Sequence, residues 1–153
     1  MLTCLPQSIC SWNFRIHGAS AGPAELEFSW FSEQGHIRLG GHEFEIHKHG
    51  PLSGRWSLMH HGTTVASAHK PSAFTRTFQI SGPSGEITLQ ASSAMTRCFE
   101  LWSGGRAIGS IRPAHALARR STIDCPPGVP EFVQLFAFWL AVLTWRRAAT
   151  NNS

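Results

Sequence analysis

Apolar and polar residues alternate at every second position along much of the chain, which is the pattern of strands with one buried face. HEFEIHK (42–48) places Phe44 and Ile46 on one side, and AFTRTFQI (73–80) places Phe74 beside Phe78. EITLQA (86–91) and RCFELW (97–102) follow the same rule. We therefore predict half-buried strands from about Trp12 to Ile123.

Glycine and proline turn signals separate these stretches at short intervals, as in SGPSGE (81–86) and SGGR (103–106). Such dipeptides favour hairpin connections. About eleven strands fit, roughly one in every ten residues, and this spacing is typical of an antiparallel sandwich or barrel. The sequence shows no evident internal repeat or linker, so residues 1–153 are expected to form one domain.

The pattern changes after the proline-rich segment DCPPGVPEF (124–132). Between Glu131 and the pair Arg146–Arg147 there is no glycine or proline, and the run FVQLFAFWLAVLTW (132–145) is almost wholly apolar. Pro130 suits the first turn of a helix, and the flanking charges suit the helix dipole. These features predict one helix over about 130–148.

This helix is expected to be the core of the fold. Fourteen residues rise only about 21 Å, whereas the hydrocarbon layer of a bilayer is about 30 Å thick. A helix that is apolar on every face must be surrounded, and a closed barrel of about eleven or twelve strands has room for it. A tail anchor and a dimerisation helix are the alternatives. The predicted core residues of the helix are Phe132, Phe136, Trp139, Leu140 and Leu143.

Composition narrows the functional classes. Charged residues are only 14% of the chain. The net charge of +4 arises after Leu101, because that part of the sequence contains six arginines and only two acids. A positive field of this kind attracts lipid headgroups or nucleic acid, but no zinc finger or ribonucleoprotein motif is present, so no nucleic acid is expected. The four cysteines form no C-x-x-C pair, and no secretory signal opens the chain, so a reducing cytoplasm is expected.

Nucleotide-binding motifs and the metal-binding motif of zinc proteases are lacking. There is no phosphate-binding or dinucleotide-binding fingerprint and no H-E-x-x-H. Seven of the nine histidines lie between His36 and His69. His47 and His49 are expected on the outward face with Glu45, where two imidazoles and a carboxylate could hold a metal. Surface polar side chains are the favoured interpretation, so we predict no catalytic residues, metal or cofactor.

Three stretches resemble the tubby C-terminal-like superfamily, which includes tubby proteins, phospholipid scramblases and LURP-one-related proteins. They are HEFEIHKHGPLSGRWSLMHHGTTVASAHKPSAFTRTFQI (42–80), LWSGGRAIGSI (101–111) and RRSTIDCPPGVPEFVQLFAFWLAVLTWRR (119–147). The resemblance implies a tubby-like barrel around its C-terminal helix and a non-enzymatic role at a membrane surface or with a protein partner. The acidic calcium-binding run and cysteine-rich cluster of animal scramblases have no counterpart, so calcium-driven scrambling is not implied.

The function expected from these observations is binding of anionic phospholipid headgroups, or of a protein partner, by a cytoplasmic or peripheral membrane protein without a transmembrane span. A barrel carrying a small hydrophobic ligand and an enzyme of unidentified type are the alternatives. The oligomeric state is left open. The candidate anion-binding residues are Lys48, Arg55, Lys70 and Arg76, and a rival patch is Arg112, Arg119 and Arg120.

Overall fold

Twelve antiparallel strands close into a barrel around a C-terminal helix, α1 (Glu131–Asn151). The computed structural model describes residues 1–152. Each strand pairs with the next along the chain, and the last returns to the first. The strands are β1 (Leu2–Pro6), β2 (Phe14–His17), β3 (Ala24–Phe28), β4 (Gly35–Leu39), β5 (His42–Lys48), β6 (Arg55–His60), β7 (Thr63–His69), β8 (Thr77–Gly82), β9 (Gly85–Ala91), β10 (Phe99–Ser103), β11 (Arg106–Pro113) and β12 (Ser121–Asp124). The predicted fold class is confirmed.

The helix lies on the axis of the barrel, since its contacts reach strands on different sides. Phe138 meets Phe14 of β2 edge-to-face with 5.0 Å between ring centroids. Val133 lies against Gly82 of β8, on the opposite side of the closed barrel from β2. Every residue from 133 to 143 is buried, whichever face of the helix it occupies. The predicted core residues Phe136, Trp139, Leu140 and Leu143 are all buried.

The first helical residues and the last turn differ slightly from the prediction. Phe132 is only half-buried and stacks on Phe44 of β5, with ring centroids 5.4 Å apart. The helix continues to Asn151, so Arg146 and Arg147 lie before its last turn. They contact the loop that contains Trp30 and Glu33 instead of serving as cations in the last turn. No helix within residues 1–152 is both long and apolar enough to cross a bilayer.

The strand prediction was wrong at the start of the chain, where no strand was expected before Trp12. Leu2 and Cys4 of β1 point into the core, and β1 closes the barrel by pairing with both β2 and β12. Only two residues of this strand alternate inward before Pro6 ends it, and one of them is a cysteine. The segment is therefore too short for its alternation to stand out.

The prediction was also wrong for Phe74, which was expected on the buried face beside Phe78. Strand β8 begins only at Thr77, and Phe74 is fully exposed in the preceding loop. The ammonium of Lys70 donates to the carbonyl oxygens of Ser72 and Thr75, which shapes this segment into a loop. The apparent period of two therefore does not continue through residues 73–76.

The up-and-down topology gives the barrel two different ends. Six of the seven longer connections between strands lie at the end where α1 terminates, which we call the loop end. They are loop 1 (7–13), loop 2 (29–34), loop 3 (49–54), loop 4 (70–76), loop 5 (92–98) and loop 6 (114–120). The opposite end, which we call the hairpin end, has four two-residue turns and the six-residue connection 18–23. There the Glu131 carboxylate accepts hydrogen bonds from the backbone of Ser20 and Ala21.

Candidate functional site at the loop end

Positive charge is concentrated at the loop end of the barrel. The loops and the adjoining helix turn contain a single acid, Glu33. The connections at the hairpin end, 18–23, 40–41, 61–62, 83–84, 104–105 and 125–130, contain no Lys, Arg, Asp or Glu. The bases of the loop end are Lys70, Arg76, Arg97, Arg119, Arg120, Arg146 and Arg147, with Lys48 and Arg55 at the adjoining strand ends.

Each of the six loops is held by a basic side chain that donates to its backbone carbonyl oxygens. We call these residues the bracing bases. They are Arg119 for loop 1, Arg146 for loop 2, Lys48 for loop 3, Lys70 for loop 4, Arg76 for loop 5 and Arg97 for loop 6. Because a carbonyl oxygen carries no net charge, these contacts order the loops and leave the positive charge of the end uncompensated.

The one acid of this region lies between two bases. The Glu33 carboxylate accepts hydrogen bonds from Lys48 at 2.7 Å and from the Arg147 guanidinium at 2.6 Å. Both cations lie over the buried ring of Trp56, and cation–π contacts stabilise such placements. Burial raises the pKa of Glu33, but the hydrogen bonds and charges of Arg147 and Lys48 outweigh it and hold the pKa below its ordinary value. Glu33 is therefore ionised and neutralises one of these two charges.

The remaining cations are close enough to affect one another. Burial lowers the pKa of Lys70, and the charge of Arg147 lowers it further. In the same way, burial and the charge of Arg119 lower the pKa of Arg97. Like charges that disfavour one another's ionised form are stabilised by an added anion. The electrostatics of the loop end thus favour contact with negative charge.

The structure brings six of the seven bases of the two predicted patches to the loop end. Lys48, Lys70 and Arg76 are bracing bases, and so is Arg119 of the rival patch. Arg55 and Arg120 are exposed, and neither guanidinium has a hydrogen-bond or ion-pair partner within residues 1–152. Arg112 lies near the end of β11 and contacts Ser110. Apart from Arg112, these bases therefore belong to the surface of the loop end.

Large apolar side chains are exposed to solvent at the same end of the barrel. Apart from Met1, all the exposed large hydrophobic residues lie in the six loops, and each loop has at least one. Between 82% and 100% of each such residue is exposed to solvent. We call them the apolar tips: Ile9 in loop 1, Trp30 and Phe31 in loop 2, Leu52 in loop 3, Phe74 in loop 4, Met95 in loop 5 and Leu117 in loop 6.

Sequence reasoning missed the apolar tips as functional candidates, and it missed Glu33, Arg97 and Arg146. A signal for the tips is present: Ile9, Phe31, Leu52, Phe74, Met95 and Leu117 recur every 21 or 22 residues. That interval is the length of one hairpin plus its loop. The structure thus reveals a recurrence of loop positions that was not recognised as a repeat, because the strand residues between the tips differ.

The histidine-rich region is at the barrel surface and is distributed along several strands. His47 contacts its neighbour Glu45 at 2.9 Å, while His49 lies beyond the end of β5 and contacts the Ser57 hydroxyl. Among residues 1–152, no group of three or more His, Cys, Asp or Glu side chains has a geometry able to hold a metal ion. The region therefore offers no candidate metal centre to set beside the loop end.

Open clefts surround loop 2, which stands out from the barrel. One of about 460 Å³ lies between loop 2 and loop 3 and is lined by Phe31, Glu33 and Lys48. Another of about 430 Å³ lies between loop 2 and the end of α1, next to Arg146 and Arg147. The axis of the barrel, where a carrier would hold a hydrophobic ligand, is occupied by the helix.

Comparison with known proteins assigns no family. No protein-family model matches the chain, and no curated protein or solved structure matches it either.

Proposed function

We propose that the protein binds peripherally to anionic phospholipid membranes through the loop end of its barrel. The observation that carries this proposal is the one-sided charge: a single acid, Glu33, among the bases of the loop end, and no Lys, Arg, Asp or Glu in the connections of the hairpin end. Juxtamembrane bases gain about 1 kcal/mol each near an anionic leaflet. The cytoplasmic leaflet, which carries these lipids, is the surface that the proposal names.

The fold also supports kinship with the tubby C-terminal-like superfamily as part of this proposal. A closed antiparallel barrel around a hydrophobic C-terminal helix is the architecture that the resemblance implied. A non-enzymatic binding role follows from the same proposal. A ligand carrier is disfavoured because α1 fills the space in which a lipocalin-type ligand would lie.

The exposed arginines test the proposal better than the lysines do. Replacing Lys48 or Lys70 would remove a bracing base and disturb a loop. Arg55 and Arg120 have no such role, so Arg55→Gln with Arg120→Gln removes charge alone. At about 1 kcal/mol per base, the double variant should bind roughly 30-fold more weakly to vesicles containing phosphatidylserine.

The assay is flotation with vesicles of phosphatidylcholine, with and without phosphatidylserine. Arg106→Gln is the matched control, because Arg106 is exposed at the hairpin end of β11. The parent and this control should float only with the anionic vesicles, and added salt should weaken binding. Equal flotation of the double variant and the parent would contradict the proposal. So would binding that does not depend on phosphatidylserine.

A further inference from the structure

We infer that the apolar tips insert into the interfacial layer of the bilayer as a ring of anchors around the barrel axis. This inference rests on the proposed function and adds the contact that holds the protein once charge has attracted it. The separate observation behind it is that the exposed large hydrophobic residues, Met1 excepted, all lie at the loop end, with at least one in every loop.

Exposure on this scale is unfavourable in water, and it marks an interaction surface when many apolar residues share one end of a molecule. The residue types fit a membrane interface. Trp30 and Phe31 combine an apolar ring with a position at the border of the positively charged surface, and tryptophan is enriched at the headgroup level of bilayers.

The spacing of the tips favours a bilayer over a protein partner. Neighbouring tips belong to neighbouring hairpins, so they are separated by two strand spacings, or about 10 Å. Six such intervals describe a ring of separate projections. A protein partner would need a matching set of hollows, whereas a fluid lipid surface needs none. The bases between the tips supply charge complementarity to anionic headgroups.

The bracing bases keep the tips in place. Lys70 holds loop 4 from within it, and Arg97 fixes loop 6 through the carbonyl oxygens of Ala116 and Ala118, on either side of Leu117. An ordered loop cannot fold its tip back onto the barrel, so little conformational entropy is lost on insertion. Because the tips surround the axis, insertion of all of them would set the barrel axis along the membrane normal.

Quenching of tryptophan fluorescence by brominated lipid tests the insertion directly. Vesicles contain phosphatidylserine and either ordinary or brominated phosphatidylcholine. Trp30 should be quenched, and Trp30→Phe should remove most of the effect because no other tryptophan is exposed: Trp56, Trp139 and Trp145 are buried, and Trp12 and Trp102 are half-buried. In the Trp30→Phe background, Phe74→Trp should restore quenching. Ser84→Trp, an exposed position at the hairpin end, should not.

A second arm measures affinity. Phe31→Ala with Phe74→Ala and Leu117→Ala removes three tips that have no packing role, so the fold should be unchanged. Binding to phosphatidylserine vesicles should fall at least about tenfold, and the binding that survives high salt should be lost. The parent should retain part of its binding at high salt.

The outcomes separate the two ideas. If the parent floats but Trp30 is not quenched and the triple variant binds as well as the parent, the protein adsorbs by charge alone and the insertion is overturned. If the parent does not float, the proposed function is wrong, and the insertion of the tips is overturned with it. If the triple variant instead dissociates a dimer seen by sedimentation velocity, the tips contact a second copy of the chain and the inference is again overturned.

Discussion

Helix α1 lies on the barrel axis. We therefore predict that truncating a large side chain to alanine lowers the free energy of unfolding by several kcal/mol on either of two opposite faces of the helix. Successive helical residues are about 100° apart, so Phe138 and Leu140 point about 160° away from one another. Neither is exposed at all. A helix packed on the outside of a sheet would bury only one of these side chains.

The complete burial of both side chains sets the expected loss of stability. Leu140→Ala should lower the free energy of unfolding by about 2–5 kcal/mol, as other buried leucines do. Phe138→Ala should cost about 3–5 kcal/mol, towards the upper end. Its ring contacts both Phe14, at 5.0 Å, and Trp145, at 6.0 Å, between centroids. Each kcal/mol corresponds to about 2–4 °C in a chain of this size.

Urea unfolding and thermal melts followed by tryptophan fluorescence measure both variants. The control is Leu117→Ala, the same chemical change at an exposed tip, which should alter stability by less than about 0.5 kcal/mol. If either core variant behaved like this control, one face of the helix would be open to solvent. The central position of α1 would then be refuted.

Three further predictions concern single contacts. Gly35→Ala should destabilise the fold by about 3 kcal/mol in urea unfolding, because the added Cβ would lie 2.0 Å from a backbone oxygen of β3; Gly128→Ala, with open space around it, should not. Burial raises the pKa of Glu131, but its hydrogen bonds hold that pKa below the ordinary 4.5. Glu131→Gln should therefore cost about 1 kcal/mol at neutral pH, and the difference in melting temperature from the parent should shrink as the pH falls below 4.5. Arg119→Met should leave the core intact but speed amide hydrogen exchange in residues 7–13, and unchanged exchange there would contradict its bracing role.

Much of the fold could be predicted because its two kinds of element have distinct hydrophobic patterns: the strands alternate and the helix is apolar throughout. Strand β5 packs on the core with one face, so its buried residues Phe44 and Ile46 alternate with exposed ones. Helix α1 is surrounded by strands, so it is apolar on every face. Strand β1 escaped prediction because its inward set is only Leu2 and Cys4. Phe74 was misplaced because an apolar residue in a loop has the same local pattern as one in a strand, and only the neighbouring backbone decides between them.

The candidate site was less predictable, for a different physical reason. A basic residue in a sequence reveals its charge but not its acceptor. Lys48 and Lys70 were proposed as anion ligands from their position among strands, and the structure shows that both donate to loop carbonyl oxygens. Arg97 was not proposed at all, since its acceptors lie about 20 residues away along the chain, in loop 6. Such pairings depend on which loops the barrel places side by side.

Loops 4 to 6 share a short sequence unit whose residues contribute both to the order of the loops and to the proposed membrane contact. In each of these loops an apolar tip is followed two residues later by an arginine: Phe74 by Arg76, Met95 by Arg97 and Leu117 by Arg119. Each arginine donates to the next loop around the closed barrel, and Arg119 reaches loop 1 because β12 pairs with β1. The tips of loops 5, 6 and 1 are thus each held outward by the arginine of the preceding loop, whereas loop 4 is held by its own Lys70. Since every brace adds a positive charge beside an exposed apolar residue, the interactions that order the loops also create the charged and apolar surface on which the proposed membrane contact depends.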